Sequence, residues 1–88
     1  MPYIKQEQRL NIDASVEKAI EYINDSGQLN YAITRLVHLY LTEEYNYSRL
    51  NETIGVLECA KLELYRRVVA VYEESKIEQN GDVVPGKC

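Results

Sequence analysis

The sequence contains neither phenylalanine nor tryptophan, and its 88 residues include only one histidine and two cysteines. Cys59 and Cys88 form no spaced framework, and with a single histidine they make no recognisable zinc site. We therefore expect free thiols, no bound metal and no cofactor. No apolar run approaches the length of a membrane span, and the N-terminus lacks the charged-then-apolar pattern of a signal peptide. These absences predict a cytoplasmic protein.

The chain also lacks an excess of basic residues. Its formal net charge is −4 and its pI is about 4.9, which argues against general binding to nucleic acid or to anionic membranes. A chain of 88 residues has room for one domain, and so short a chain buries a modest fraction of its surface unless it oligomerises. We expect a single domain over residues 1 to 88 that assembles with itself.

Tyrosine takes the place of the missing aromatic residues, since it occurs eight times. Its ring is apolar while its hydroxyl needs a hydrogen-bond partner, so tyrosine is typical of half-buried interfaces. This composition favours a protein that works through contact surfaces.

Hydrophobic periodicity predicts an all-α protein of three helices, the third being the longest, assembled as a homo-oligomeric bundle. Residues 1 to 12 have no sustained period and are expected to form an N-terminal arm. The first helix is predicted over 14 to 25, capped by Asp13 or Ser15 and ended by a left-handed cap at Gly27. The second is predicted over 29 to 46 and the third over 50 to 80. Asn80 and Gly81 stop the third helix, and residues 82 to 88 read as a flexible tail.

The second helix carries an unusual outer face. Opposite its apolar arc, Tyr31, His38 and Tyr45 recur every seven residues, where charged side chains would be expected on a simple surface helix. The stripe suits a subunit interface, but it also fits amphipathic side chains at the surface or a ligand-binding surface.

The third helix has two charged residues on its apolar face. At 100° per residue, Glu58 and Lys61 fall near the centre of an arc that includes Tyr65 and Tyr72, where an unpaired ion would be costly. Either the two charges pair inside an oligomer core, or they line a polar cavity that a ligand fills. In the second case the predicted ligand-binding residues provide tyrosine rings for a planar ligand, cations for phosphate and a hydrogen-bond acceptor. They are Glu58, Lys61, Tyr65, Arg66, Tyr72 and Arg35.

Three stretches carry a resemblance to a known family: MPYIKQEQR at the start, LNYAITRL in the second helix, and LNETIGVLECAKLELYRRVVAVYEESKIEQNGDV in the third. They resemble a family of small proteins of unknown function that occur in phage and prokaryotic genomes. The resemblance covers nearly the whole chain. It implies a compact helical protein and a viral setting, but no activity.

The acidic residues of the chain raise an enzymatic alternative. All-α nucleotide pyrophosphohydrolases of the MazG type hold magnesium with carboxylates one turn apart on two helices. The acidic pairs here are Glu17 with Glu21, Glu43 with Glu44, and Glu73 with Glu74. None of them reproduces two acidic pairs that face a common core, so we expect a protein that is not an enzyme.

The sequence therefore favours a non-enzymatic binding protein of phage type. A nucleotide-like signalling molecule, sequestered as a counter-defence measure, is the sharpest candidate ligand. The alternative is a protein–protein interaction module that acts on a host factor, and a MazG-like pyrophosphohydrolase is the second alternative.

Overall fold

The computed structural model describes residues 1 to 86, and these residues form helices and turns without any strand. Cys88, expected to be a free thiol, lies outside the described residues. The all-α prediction is confirmed, with three helical stretches of which the third is longest. The elements are a 3₁₀ turn at Gln6–Gln8, α1 at Leu10–Ile20, α2 at Ser26–Leu41, α3 at Tyr47–Leu64, a π-helical turn at Tyr65–Val69 and α4 at Ala70–Asn80.

The third stretch, residues 47 to 80, runs from α3 through the π turn into α4, and we call it the long helix. The chain divides into two compact units. The first unit, Met1–Gly55, contains α1, α2 and the beginning of α3. The second unit begins at Val56 and contains the rest of the long helix and the residues that follow it.

The first helix begins earlier than predicted. Arg9 binds the carbonyl oxygen of Ile4 through Nε at 3.0 Å and Nη2 at 2.7 Å, and α1 starts at the next residue, Leu10. Residues 10 to 12, which the sequence assigned to the N-terminal arm, are therefore the first turn of α1. The helix ends at Ile20 instead of residue 25.

The residues that were expected to end the first helix instead begin the second helix. Asp25 has an extended backbone and its Oδ1 accepts a hydrogen bond from the Gln28 amide at 2.8 Å. The Gln28 side chain in turn accepts from the Asn24 amide, one residue before the cap, at 2.7 Å, so side chains on both sides of the turn satisfy backbone amides at the start of α2. Gly27 lies inside α2, and in the described residues only Gly81 and Gly86 have positive φ. The predicted left-handed cap at Gly27 is wrong.

The second helix also ends earlier than predicted. The hydroxyl of Thr42 donates to the carbonyl oxygen of Leu39 at 2.7 Å, and α2 stops at Leu41. Asn46 then caps α3, because its Oδ1 accepts from the Arg49 amide at 2.9 Å. Ser48 and Asn51, which are also of residue types that cap helices, both lie within α3.

Arg49 holds the turn between α2 and α3 in place. Its guanidinium stacks on the Tyr40 ring at 3.9 Å from the centroid and donates to the Tyr40 carbonyl oxygen at 3.1 Å, while Nη1 lies 3.9 Å from the Glu44 carboxylate. One turn further on, the Thr53 hydroxyl donates to the Arg49 carbonyl at 2.8 Å. The Arg49 side chain is only 19% exposed, so this contact fixes the end of the first unit.

The long helix ends where the sequence placed its stop. The last helical residue is Asn80, and Gly81 has φ +86° while its amide donates to the Ile77 carbonyl at 2.8 Å. Residues other than glycine rarely adopt a backbone with this positive φ, which explains why glycine stands at this position. The prediction of a C-terminal stop at Asn80 and Gly81 is confirmed.

Apolar side chains remain accessible throughout the described residues. None of them is buried, and the one buried side chain there is that of Thr53. None of the helices in residues 1 to 86 combines the length and hydropathy of a membrane span. Much apolar surface is therefore left for contacts beyond the chain itself.

Candidate functional site

The predicted pair of Glu58 and Lys61 forms, but in the single chain it is exposed. Lys61 Nζ lies 3.4 Å from Glu58 Oε1, and the two side chains are 72% and 56% exposed respectively. An i,i+3 pair at this exposure contributes a few tenths of a kcal/mol to helix stability. Because neither charge is buried in the single chain, the cost of burying them does not arise there. Both side chains remain accessible to a binding partner.

The π turn changes which residues share a face of the long helix. The Ala70 amide donates to the Tyr65 carbonyl, five residues earlier, so the turn contains one residue more than an α-helical turn. Every residue after it is rotated by about 100° from the position that a regular helix would give. Tyr72 is therefore turned away from the face of Glu58, Lys61 and Tyr65, and the single arc predicted from the sequence is wrong at Tyr72.

The same rotation brings Glu73 to the face of Tyr65. The Tyr65 hydroxyl donates to Glu73 Oε1 at 3.0 Å, although the residues are eight apart in sequence. This hydrogen bond, together with the negative charge of Glu73, raises the pKa of the Tyr65 phenol above its ordinary value. The π turn is thus linked to a specific side-chain contact that regular helical spacing does not predict.

The remaining predicted ligand residues of the second unit also have neighbours. Arg66 Nη2 donates to Glu63 Oε1 at 3.0 Å, and Lys76 Nζ lies 5.5 Å from the centroid of the Tyr72 ring. Tyr65 and Tyr72 are each more than half exposed. The second unit therefore presents tyrosine rings and cations along one helix.

Arg35, the sixth predicted ligand residue, belongs to the first unit. It lines an open groove of about 520 Å³ formed by the last turn of α1, the following turn and α2. Arg35 is the one charged side chain in the lining, which is otherwise dominated by apolar and tyrosine side chains. The lining residues are Ala19, Tyr22, Ile23, Gly27, Gln28, Tyr31, Ala32, Arg35, Leu36 and Leu39.

The predicted stripe of Tyr31, His38 and Tyr45 does not continue over its full length. Because α2 ends at Leu41, Tyr45 lies beyond the helix, and the seven-residue repeat no longer places it on the same face. Tyr31 lines the groove, whereas His38 is exposed on α2 and is not part of the lining. The interface role of these residues stays a prediction, with Tyr31 nearest to an apolar contact surface.

Two features of the first unit were missed from the sequence. The groove combines Tyr31 of the outer-face stripe and Arg35 of the predicted ligand-binding set with Ala32, Leu36 and Leu39, three apolar residues of the same helix. The Arg49 contact joins residues that simple periodicity does not connect. The signals available were the spacing of Asp25 to Gln28 and the residue type of Asn46, both typical of helix N-termini.

The described residues hold no group of three or more His, Cys, Asp or Glu side chains arranged to bind a metal ion. Cys59 is a free, exposed thiol.

A family model for DUF6899, a domain of unknown function, matches residues 1–83. The chain belongs to this family. The match confirms the resemblance to an uncharacterised family. Neither the curated proteins nor the solved structures contain a match to this chain.

Proposed function

We propose that this DUF6899 protein is a non-enzymatic binding protein, and that it acts as a protein–protein interaction module on a host factor. The observation that supports this proposal is the lack of any buried apolar side chain in the described residues. Leucine, isoleucine, valine and tyrosine side chains at half or more of their full exposure are costly in water. A partner that covers them offsets this cost.

The shape of the second unit favours a macromolecular partner over a small one. From Val56 to Asn80 this unit is one helix, and the surface of a helix is convex. A small ligand needs a concave site that covers most of its surface. A helix with apolar anchors three, four and seven residues apart instead fits the groove of another protein. Leu57, Ala60 and Leu64 have this spacing on α3.

Finer features of the proposal come from the family resemblance and from composition. The protein would be a phage accessory protein that acts in the cytoplasm of the host, in the manner of a counter-defence factor. It would also assemble as a homo-oligomer, because an exposed apolar surface in a chain of this size favours self-association.

The test compares matched variants of the second unit. Leu57→Asp with Leu64→Asp places two charges on the apolar side of α3, while Arg67→Asp changes the charge at a solvent-exposed position of the π turn. A partner captured from the host should bind the wild type and Arg67→Asp but not the double variant. The interaction should then be reproduced with the purified partner by calorimetry. Equal capture by all three proteins, or no partner at all, contradicts the proposal.

A nucleotide-like small molecule is the second candidate, favoured by the exposed Lys61 beside Tyr65. The Lys61 ammonium is held only by a weak, solvent-exposed pair, so a phosphate could replace Glu58 as its partner. The tyrosine ring would stack on the base, and a second chain would complete the concave site. Sequestration requires the ligand to be held without being consumed.

A melting screen with linear and cyclic nucleotides tests this candidate. A ligand at a hundredfold excess over Kd should stabilise the protein by roughly 2.7 kcal/mol and be recovered intact. Lys61→Ala and Tyr65→Ala proteins that remain folded should lose the shift. A hit that acts equally on these variants removes the candidate. Magnesium-dependent hydrolysis of the ligand would instead support the pyrophosphohydrolase alternative.

A further inference from the structure

We propose that the groove between α1 and α2 is filled by α2 of a second copy of this chain, running antiparallel about a two-fold axis that passes between Ile33 and Thr34. The inference rests on the self-association proposed above, and it adds the surface and the register. It concerns only the first unit, whereas the proposed partner binds the second.

The groove is built to receive a helix. One wall is the last turn of α1 and the turn that follows it, with Ala19, Tyr22 and Ile23, and the other is α2. The α2 residues in the lining are spaced three or four apart, as in a helical packing stripe. They are Gln28, Tyr31, Ala32, Arg35, Leu36 and Leu39, with Gly27 beside Gln28 at the start of the helix.

This stripe is complementary to itself when it is turned end for end. Rotation about an axis between Ile33 and Thr34 places Ala32 opposite Arg35 of the second copy, because both are equally far from the axis. Each large arginine side chain then meets a small alanine, as interdigitating layers require. The same operation pairs Tyr31 with Leu36 of the second copy, and Gln28 with Leu39 of the second copy. Of the seven groove-lining positions of α2, six thus find a groove-lining partner, while Gly27 meets Tyr40 of the second copy at the end of the pair.

The charge in the groove favours the antiparallel arrangement. A parallel pair in register would bring Arg35 directly against Arg35 of the second copy, and like charges in an apolar contact repel each other. In the antiparallel pair each guanidinium has the space above an alanine. It also lies in a groove lined by Tyr22 and Tyr31, whose rings can accept a cation over their faces.

The groove leaves enough accessible apolar area for a specific contact. Tyr22, Tyr31 and Leu36 are each about two thirds exposed, and Leu39 is about half exposed. A partner helix in the groove covers these four side chains, on the order of 500 Å² per chain. The two symmetric grooves together then bury roughly 1,000 Å², the area at which a specific interface is expected.

Register-specific crosslinking tests the proposal on the full chain. In a background of Cys59→Ser and Cys88→Ser, one sample of the protein carries Gln28→Cys and a second, distinguishable by a tag, carries Leu39→Cys. After the two are unfolded together, refolded and mildly oxidised, the mixture should give a 28-to-39 disulfide between chains. Each variant alone should give several-fold less, since identical positions lie about 16 Å apart along the antiparallel pair.

For variants that retain wild-type helicity, each crosslinking outcome either supports or overturns the proposal. Crosslinks in the mixture alone support the antiparallel pair. Crosslinks within each variant alone indicate a parallel pair, and an absence of crosslinks in all samples indicates a different occupant, so both overturn the proposal.

A second experiment uses Leu36→Asp, which should lower the mass measured by light scattering, with Asn30→Asp outside the groove as the matched control. An unchanged mass for Leu36→Asp overturns the proposal without affecting the partner proposed for the second unit. That partner is tested separately through Leu57 and Leu64.

Discussion

The two units of the chain are held in shape by different kinds of contact. In the first unit, side chains bind backbone groups at both turns: Asp25 and Gln28 close the start of α2, while Asn46 and Arg49 close the start of α3. In the second unit, ion pairs and hydrogen bonds join side chains along one helix, as between Glu58 and Lys61 or Tyr65 and Glu73. Side-chain contacts therefore define the turns of the first unit, whereas those of the second unit only support a helix.

This difference bears on where a binding surface can form. Exposed pairs within one helix contribute little to stability, and an isolated helix depends on tertiary packing for most of its stability. The second unit should thus gain most from a partner that covers its apolar side. The first unit has a framework that can position a groove.

The largest effect is expected at Arg49. Arg49→Ala removes the stacking on Tyr40 and the hydrogen bond to its carbonyl, at a cost of about 2 kcal/mol in unfolding free energy. Arg49→Lys should cost roughly half as much, because lysine keeps the charge but loses the planar stack. Urea denaturation measures both, with Arg67→Ala as the control. If Arg49→Ala costs no more than Arg67→Ala, the first unit is not held by this contact.

The cap of α2 is the next test. Asp25→Ala should cost about 1 kcal/mol, because the Gln28 amide loses its acceptor at the helix N-terminus. Glu74→Ala, an exposed acidic residue of α4, should change the unfolding free energy much less. Equal losses of unfolding free energy in the two variants would mean that the side-chain contact at the start of α2 is no more important than an exposed residue of the long helix.

The contact across the π turn makes a pH prediction for the second unit. The folded-state pKa of Tyr65 is raised above its ordinary value by the hydrogen bond to Glu73 and by the charge of that carboxylate. The contribution of this contact to stability is therefore complete below the unfolded-state pKa of Tyr65 and is lost as pH rises through the folded-state pKa. Alkaline titration of tyrosinate absorbance, taken as the difference between wild type and Tyr65→Phe, isolates this group. Glu73→Gln should lower its pKa. An unchanged titration in Glu73→Gln would show that the two side chains do not meet.

The smallest effect is expected for the exposed pair of Glu58 and Lys61. A double-mutant cycle with Glu58→Gln and Lys61→Met should give a coupling energy of about 0.3 kcal/mol. The sequence alone had suggested a buried pair, for which breaking one partner costs on the order of 3 kcal/mol. A coupling that large would mean that the pair is covered in the assembled protein.

Periodicity and stop signals predicted much of this fold. The repeat of apolar residues predicted helices over most of α2 and the long helix. Gly81 marked the end of the long helix because the chain there needs a positive φ, which glycine adopts readily. The limits of α1 and α2 were missed because Asp25 and Asn46 serve the helices that follow them. Such choices depend on which amide is left without a partner, and spacing alone does not decide this.

The candidate site was predicted less well than the fold. Glu58, Lys61 and Tyr65 share a face as the helical wheel requires, but the π turn moves Tyr72 away and brings in Glu73. No sequence pattern signals the extra residue in that turn. Arg35 and Tyr31 were named for other roles, and only the path of the chain between α1 and α2 places them in one groove.

The central claim is that partners complete the apolar surface of this chain, and the dependence of its stability on concentration tests it most directly. Melting temperature and mass by light scattering should be measured together over a wide range of protein concentration. The account predicts an oligomer whose melting temperature rises with concentration, because assembly stabilises the folded state by mass action. A helical monomer with the same melting temperature at every concentration would contradict it.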